Sequence, residues 1–397
     1  MSQASLPPGA TPDARRAARE YTLSLLSSPE EWDDASLRER WGALLERYDD
    51  VNALYASPAW FDHLRETRPG DELALAVARD RAGNVEGIVP LHFKEYPFQY
   101  YLSSYPLLTL RLKAAHVLGS VPLLPAERGV HAQFRDALLG ARSDCDCIYM
   151  DTVPIESDCR EFVSGAGANG VAQLVYAPGG KRPWHLVELG PTADAYFGKI
   201  KGKLRYELKR RTKRLDEHCG GKLSIVRVDS EAQVAQFVAD AAEVSRNSWQ
   251  QRIIGTRITD SEEQRAHFAG LARRGLLRSY LLRCGERPCA FVVGYQFNQI
   301  FHYVEIGYDR EFAEFSPGMI LYYLLVQDLF AHRTPSLLNF GMGDADYKQR
   351  FGNVRREDIS ILILRKNLLN RLRVGGHSAF RSCVSAARGI VRRVRRS

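Results

Sequence analysis

The stretch Ile300–Phe330, IFHYVEIGYDREFAEFSPGMILYYLLVQDLF, constrains the fold more than any other part of the chain. Ile300–Tyr308 is rich in β-branched and aromatic residues, which suit a strand covered by other elements. Asp309–Phe315 breaks that pattern with four charges in seven residues. Ser316-Pro317-Gly318 then restarts the chain as a helix, with Ser316 as N-cap and Pro317 at the first helical position, where its missing N–H costs no hydrogen bond. Met319–Phe330 is apolar almost all round and predicts a buried helix. A strand feeding an uncovered helix N-terminus is a natural place for a phosphate or pyrophosphate, because free N–H donors and the helix dipole converge there. An ordinary β-turn-α unit with a good cap fits the same residues.

With 397 residues, 45% of them hydrophobic and 26% charged, the chain is long enough for two domains that each bury a core. No apolar run approaches the roughly 18 residues that span a bilayer, and the first twenty residues lack the apolar core of a secretory signal. Seven cysteines lie scattered, with Cys145/Cys147 and Cys284/Cys289 the closest pairs. Neither spacing is a zinc or thioredoxin motif, no HExxH occurs, and no metal is expected. The reading is of reduced thiols in a cytoplasmic protein. No GxSxG elbow points to a serine hydrolase. The net charge of +8 is unevenly placed, which bears on partners.

Read in order, residues 1–34 form a mobile N-terminal segment, although helical patterning runs through Ala17–Leu45. Ser57 caps a helix that begins Pro58-Ala-Trp60, and Leu73–Arg79 and Val85–Phe93 read as a hairpin across Asp80–Asn84. Pro97–Leu110 is aromatic and irregular. Further elements are expected at His116–Ser120, Val130–Leu139, Cys147–Asp151, Glu156–Val163, Val171–Tyr176 and Trp184–Leu189. Gly165-Ala-Gly-Ala-Asn-Gly170 matches GxGxxG, but with a helix before it and a strand after it the run reads as a helix end and turn. Asp194–His218 reads as one helix, with Phe197, Ile200, Leu204, Leu208 and Leu215 on one stripe and nine Lys and Arg between Lys199 and Arg214 covering the rest. That basic face is either solvated or turned to an anion. A helix from Ser230 to Trp249, another at Glu262–Arg274, a hairpin Leu277–Arg283/Cys289–Phe297 and a strand at Ile359–Leu364 complete the second half. The tail 366–397 is a basic helical segment, readable as an appendix, a membrane-surface patch or a nucleic-acid patch. Both halves repeat the order helix, hairpin, then alternating helix and strand, which suggests a duplicated α/β unit over 35–190 and 191–365.

The order of features in residues 194–365 resembles the GNAT acyltransferase fold, in particular the CelD/BcsL-type branch that is similar to the FemAB peptidyltransferases. The matching pieces are the basic helix with Lys203, Arg205 and Arg210, then Trp249, then the hairpin Ser279–Arg283 to Pro288–Phe291. They continue with Tyr308–Phe312, Ser316-Pro317-Gly318 and Gly343-Asp-Ala-Asp-Tyr-Lys348. In the first half, Ser57-Pro-Ala-Trp60 and Gly87–Leu91 resemble the N-terminal module of the same family. The resemblance implies an α/β (α+β) fold of two tandem GNAT-like domains, each a mixed, mostly antiparallel sheet flanked by helices. It implies transfer of an acetyl or other acyl group from acyl-CoA to an amine or hydroxyl of a sugar or cell-envelope polysaccharide precursor. The donor would lie at Ser316, Pro317, Gly318 and Met319. This sequence has one glycine there, where typical members carry Arg/Gln-x-x-Gly-x-Gly/Ala. FemAB-type members take an aminoacyl-tRNA donor, so a tRNA-dependent aminoacyltransferase is the alternative, and a non-catalytic binding protein a third. Expected partners are the donor and a sugar or lipid-linked glycan acceptor, with contact to an anionic membrane face through the basic helix and tail, and no DNA.

Acyl transfer needs a proton acceptor, donors for the developing oxyanion and a proton for the leaving thiolate. Strand alternation places Phe301, Tyr303 and Glu305 on one face and His302 on the other. Glu305 in an apolar strand suits a general base, with His302 as competitor or as a core residue, and an ion pair to an arginine such as Arg205 as the structural reading of Glu305. Asp344 is expected to orient the acceptor, Tyr347 to protonate the thiolate and Lys348 to hold a phosphate or the oxyanion. Arg205, Trp249, His302 and Asp346 complete the expected substrate contacts.

Overall fold

The computed structural model describes residues 21–48, 50–102, 105–125, 127, 129–157, 173–248 and 257–394, with side chains to 387. The GxGxxG run, Trp249 and nearly all of the helix expected at Glu156–Val163 lie outside them. Among the described residues thirteen strands form a single sheet, so the architecture is mixed α/β with helices on both faces.

The first half contributes β1 (Thr22–Leu26), the helices α1 (Pro29–Trp32), α2 (Ala35–Glu46) and α3 (Pro58–Thr67), then β2 (Glu72–Arg79), β3 (Val85–Leu102) and β4 (Tyr105–Val117). Helix α4 (Val130–Ala141) then crosses over to β5 (Cys147–Pro154), and β6 (Gln173–Tyr176) and β7 (Lys181–Glu188) follow. Strand β1, inside the segment set aside as mobile, pairs antiparallel with β2 from Thr22↔Arg79 to Leu26↔Leu75. Alternation on β2 sends Leu73, Leu75 and Val77 to the core beneath α2 and α3, and Ala74 and Ala76 to the core beneath α4.

The second half repeats the plan. After α5 (Ala193–Lys199) and α6 (Gly202–His218) come β8 (Leu223–Val228), α7 (Glu231–Asn247), α8 (Glu262–Arg273), β9 (Ser279–Cys284), β10 (Arg287–Phe297) and β11 (Ile300–Tyr308). Helix α9 (Pro317–Ala331) crosses over to β12 (Leu337–Met342). The chain ends with α10 (Asp346–Phe351), β13 (Val354–Arg365) and α11 (Leu368–Val394). In each half an antiparallel run ends in a parallel pair bridged by a helix, β4 with β5 and β11 with β12. The closing strands are exchanged. Strand β7 of the first half pairs with β12 of the second, while β13, from the end of the chain, lies between β5 and β7. The two units share one continuous sheet.

Three sequence expectations are corrected here. Pro97–Leu110 is not irregular: β3 and β4 stay paired to Leu102↔Tyr105 as a ribbon that runs beyond the end of β2 pairing at Phe93. A two-stranded ribbon has free edges, which accept a residue without an N–H such as Pro97 or Pro106. The basic helix is two helices, because Ile200 is extended and separates α5 from α6; Phe197, Leu208 and Leu215 are buried as the stripe required. Cys219 and Cys284 form a disulfide with Cα atoms 5.1 Å apart, where reduced thiols were expected. One follows α6 and the other ends β9, so no local motif could reveal a pair 65 residues apart in sequence. Reducing it should lower stability by about 2–4 kcal/mol, seen as a lower urea midpoint with reductant than without.

Candidate functional site in the cleft between the halves

Pairing between β11 and β12 ends at His302↔Asn339, although β11 continues to Tyr308 and β12 to Met342. The two parallel strands therefore open a wedge, the position where open α/β sheets hold ligands. On the core side Tyr303, Phe340 and Tyr347 fill it, with ring centroids 5.3 Å apart for Tyr303–Phe340 and 5.4 Å for Phe340–Tyr347. On the other side the wedge opens into a cleft of about 490 Å³ between the two halves.

The cleft has three chemical zones. Tyr55, Trp60 and Trp184 supply aromatic surface. Asn52, Asp151, Thr152 and Asn339 supply polar groups, joined in part by Asn52 Nδ2 donating to Thr152 Oγ1 at 3.2 Å and Asn339 Nδ2 to Asn52 Oδ1 at 3.4 Å. Arg68, Lys94 and Lys348 supply positive charge. Lys94 is open to solvent at the cleft, yet surrounding protein, then Arg68, lowers its proton affinity.

Lys348 is the most unusual of these groups. Its side chain folds back from α10 so that Nζ donates to the carbonyl of Met342 at 2.6 Å, and the residue is only 8% exposed. Burial pushes its pKa down to about 8. Elsewhere in the cleft wall, buried His302 has Nδ1 3.5 Å from Asn339 Nδ2, while Nε2 has no hydrogen-bond partner among the described residues. Burial pushes His302 down to about 4, so it is neutral at pH 7. A group at 4 is a weak base at neutral pH, whereas one near 8 is poised to be either acid or cation.

Glu305 stands differently from the alternation expected. The pairs Gly294↔Tyr303 and Val293↔Glu305 leave Val304 as an extra residue, a β-bulge. Phe301 and Tyr303 pack into the core beneath α9, while Glu305 turns to the face of Val293 and Tyr295 and lines a smaller cavity that shares Arg68 and Val304 with the cleft. Its partner is Arg257 at 2.7 Å and not Arg205, which donates instead to the carbonyl of Phe197 at 3.4 Å. Burial raises the Glu305 pKa, and Arg257 opposes the shift. Tyr347 lies partly buried against the core, its hydroxyl pushed well up by burial and by the charge of Glu305. Asp344 accepts from His185 Nε2 at 2.9 Å, which holds its carboxyl below the usual range. Asp346 is largely exposed, 3.7 Å from Arg350.

At the α9 N-terminus the expected cap is absent. Ser316 takes the left-handed conformation (φ 58°, ψ 59°), its side chain makes no cap bond, and its hydroxyl instead accepts from Arg211 of α6. Pro317 is buried at the first turn, Met319 packs on the core, and a Cβ on Gly318 would meet only Tyr308 at 4.0 Å. None of these four lines the cleft. Of the sequence-predicted residues, His302 and Lys348 both line the cleft, with Glu305 in the adjoining cavity. The first-half lining was missed, because nothing in its local pattern shows that Tyr55, Trp60, Lys94 and Asp151 face residues some 200 positions away.

Residues 202–349 match the family model described as an acetyltransferase (GNAT) domain. Over that span the second half is similar to GNAT acetyltransferase domains. The solved structure of FemX is similar in fold over 84% of this chain and 97% of its own, with a TM-score of 0.58 at 12% identity. A conserved protein of unknown function from Bacteroides thetaiotaomicron VPI-5482 is similar over 83% and 97%, with a TM-score of 0.52 at 12% identity. At such identities the likeness concerns the fold alone. No curated protein matches the sequence. The fold class expected from the sequence, two tandem GNAT-like units with mostly antiparallel sheets, is the one observed.

Proposed function

We propose that this GNAT-fold chain transfers an acetyl or other acyl group from acyl-CoA to an amine or hydroxyl of a sugar in a cell-envelope polysaccharide or its lipid-linked precursor, as in the CelD/BcsL-type branch. The observation that carries this reading is Lys348: a buried ammonium group with a pKa near 8, held at the wedge of the GNAT domain in a cleft large enough for an acceptor. A cation in that position stabilises the oxyanion that forms when a thioester carbonyl is attacked. In this scheme the donor's phosphates meet the first turn of α9 at Ser316–Met319, with Arg211 beside them. Glu305 takes the proton of the attacking group, Tyr347 supplies one to the departing thiolate, and Asp344 positions the turn between β12 and α10 through His185. The aromatic surfaces of Tyr55, Trp60 and Trp184 with the amides of Asn52 and Asn339 suit a sugar, which offers apolar C–H faces and a rim of hydroxyls.

A second reading keeps the site and changes the donor to an aminoacyl-tRNA. It is favoured by α6, whose Lys203, Arg205, Lys209, Arg210 and Lys213 are all exposed. Calorimetric titration separates the two. The first reading expects micromolar binding of acetyl-CoA, weakened about tenfold or more in Gly318→Trp, at a position where an added Cβ meets only Tyr308 at 4.0 Å. Absence of acetyl-CoA binding together with steeply salt-dependent binding of charged tRNA replaces it with the second.

A further inference from the structure

The β3–β4 ribbon extends past the sheet with an unusual composition. Between Glu95 and Arg111 there is no charged residue. At its end Tyr101, Leu102, Tyr105, Leu107 and Leu108 are all exposed, Tyr105 at 74% and Leu107 at 60%. A two-stranded ribbon carrying apolar side chains on both faces is poorly stable in water and is an aggregation hazard unless something covers it.

Helix α11 is fixed to the same ribbon. His377 Nε2 contacts the carbonyl of Gln99 at 3.0 Å, Tyr100 donates to the carbonyl of Arg373 at 3.4 Å, and the rings of Tyr100 and Phe380 lie 5.5 Å apart. With the inner face of α11 spent on these contacts, Leu368, Leu369 and Leu372 remain exposed at its start. From Ile359 to Ser397 the chain has no Asp or Glu, against nine Arg and one Lys. Apolar residues that enter an interface, tyrosines suited to the headgroup level, and an acid-free arginine helix beside them match one kind of partner by charge and by polarity. A basic appendix alone would not need the bare ribbon, and a nucleic acid would not need its leucines.

We infer that the ribbon end and α11 together form a docking surface for an anionic lipid bilayer, with Tyr101, Leu102, Tyr105, Leu107 and Leu108 entering the interface and the acid-free α11, with its exposed Arg371, lying along the headgroups. Contact through the basic tail is an expectation the sequence raises; the ribbon as the inserting element comes from the structure alone. The surface adjoins the cleft. A second cavity, of about 690 Å³, lies between the ribbon and α11 and shares Asp151 and Met342 with the cleft. An acceptor held in a membrane would therefore approach the cleft from this side. The docking itself does not depend on the acyl-transfer reading.

The test is flotation of the full chain with phosphatidylcholine vesicles, with and without phosphatidylglycerol, across a salt series. The expected result is a bound fraction about tenfold higher on the anionic vesicles, falling as salt rises. Leu107→Asp combined with Leu108→Asp should cut it about tenfold, with an unchanged melting curve because both side chains are exposed. Leu107→Ser with Leu108→Ser serves as a second variant should the charges disturb folding. Equal binding by either folded variant overturns the insertion of the ribbon, and absence of binding to either vesicle overturns the surface altogether. A dimer that the substitutions convert to monomer, without vesicle binding, assigns the patch to a second copy of the chain instead. Vesicle binding that RNA displaces while the variants retain it assigns the arginines to nucleic acid.

Discussion

Replacing Lys348 with methionine should lower the rate of thiol release from acetyl-CoA about 100-fold or more while raising the stability of the protein. The first effect follows from removing a buried cation at the wedge, since loss of a single oxyanion donor costs about 100- to 1000-fold in rate. The second follows from its burial. An ammonium whose pKa falls from 10.5 to about 8 on folding is held charged at pH 7 at a cost of about 3 kcal/mol. Methionine, of similar length and without charge, escapes that cost. The sign can be checked in the native protein. Between pH 8 and 10.5 the unfolded chain binds the proton that the folded chain has lost, so this group makes stability rise with pH across that window. The gain from the substitution should accordingly be present at pH 7 and gone near pH 10.5. Activity should show an alkaline limb near pH 8, which Lys348→Arg moves upward because guanidinium keeps its charge. Urea midpoints at pH 7 and 10, with pH–rate profiles of both variants, measure all of this. A Lys348→Met protein that is both less stable at pH 7 and fully active would mean the ammonium is merely structural.

Cutting the chain at residue 190 should leave two fragments that do not fold apart and that recover a cooperative transition when co-expressed. Strand β13 belongs to the second fragment by sequence, yet Ile361 and Ile363 are buried in the core with β5, and Leu362 and Leu364 against Phe98 and Cys147. Strand β7 and the residue that follows it belong to the first, yet Val187 and Leu189 are buried in the core beneath α9. Each such side chain contributes about 1.5–3 kcal/mol on burial, and a domain has a margin of only about 5–15 kcal/mol. Exposing these side chains together with two bare strand edges removes that margin on both sides of the cut. The comparison is of urea unfolding for each fragment alone and for the pair. A cooperative transition in residues 191–397 alone would show that the exchanged strands are dispensable.

Much of the second half was legible in the sequence because its signals are local. The strand Ile300–Tyr308, the Pro317 helix start and the hairpin across Gly285 each follow from a run of residues that carries its own periodicity and turn chemistry. What escaped was set at a distance. Glu305 changes face because one extra residue, Val304, is accommodated opposite Gly294, and no alternation rule contains that event. Ser316 loses its capping role to a side chain from another helix, Arg211. The ribbon at Pro97–Leu110 reads as irregular because prolines and exposed aromatics are poor strand signals when nothing covers them. The cleft itself draws on both halves, and only the exchange of β7 and β13 brings those halves together in one sheet.

The most direct test of the central claim, acyl transfer at the cleft between the halves, is hydrogen–deuterium exchange of the intact chain with and without acetyl-CoA. The account predicts slower exchange in three peptides: the β11 segment around His302–Glu305, the β12–α10 segment from Asn339 to Lys348, and the first turn of α9. Protection confined to other segments, or none at acetyl-CoA concentrations up to about 1 mM, would contradict it.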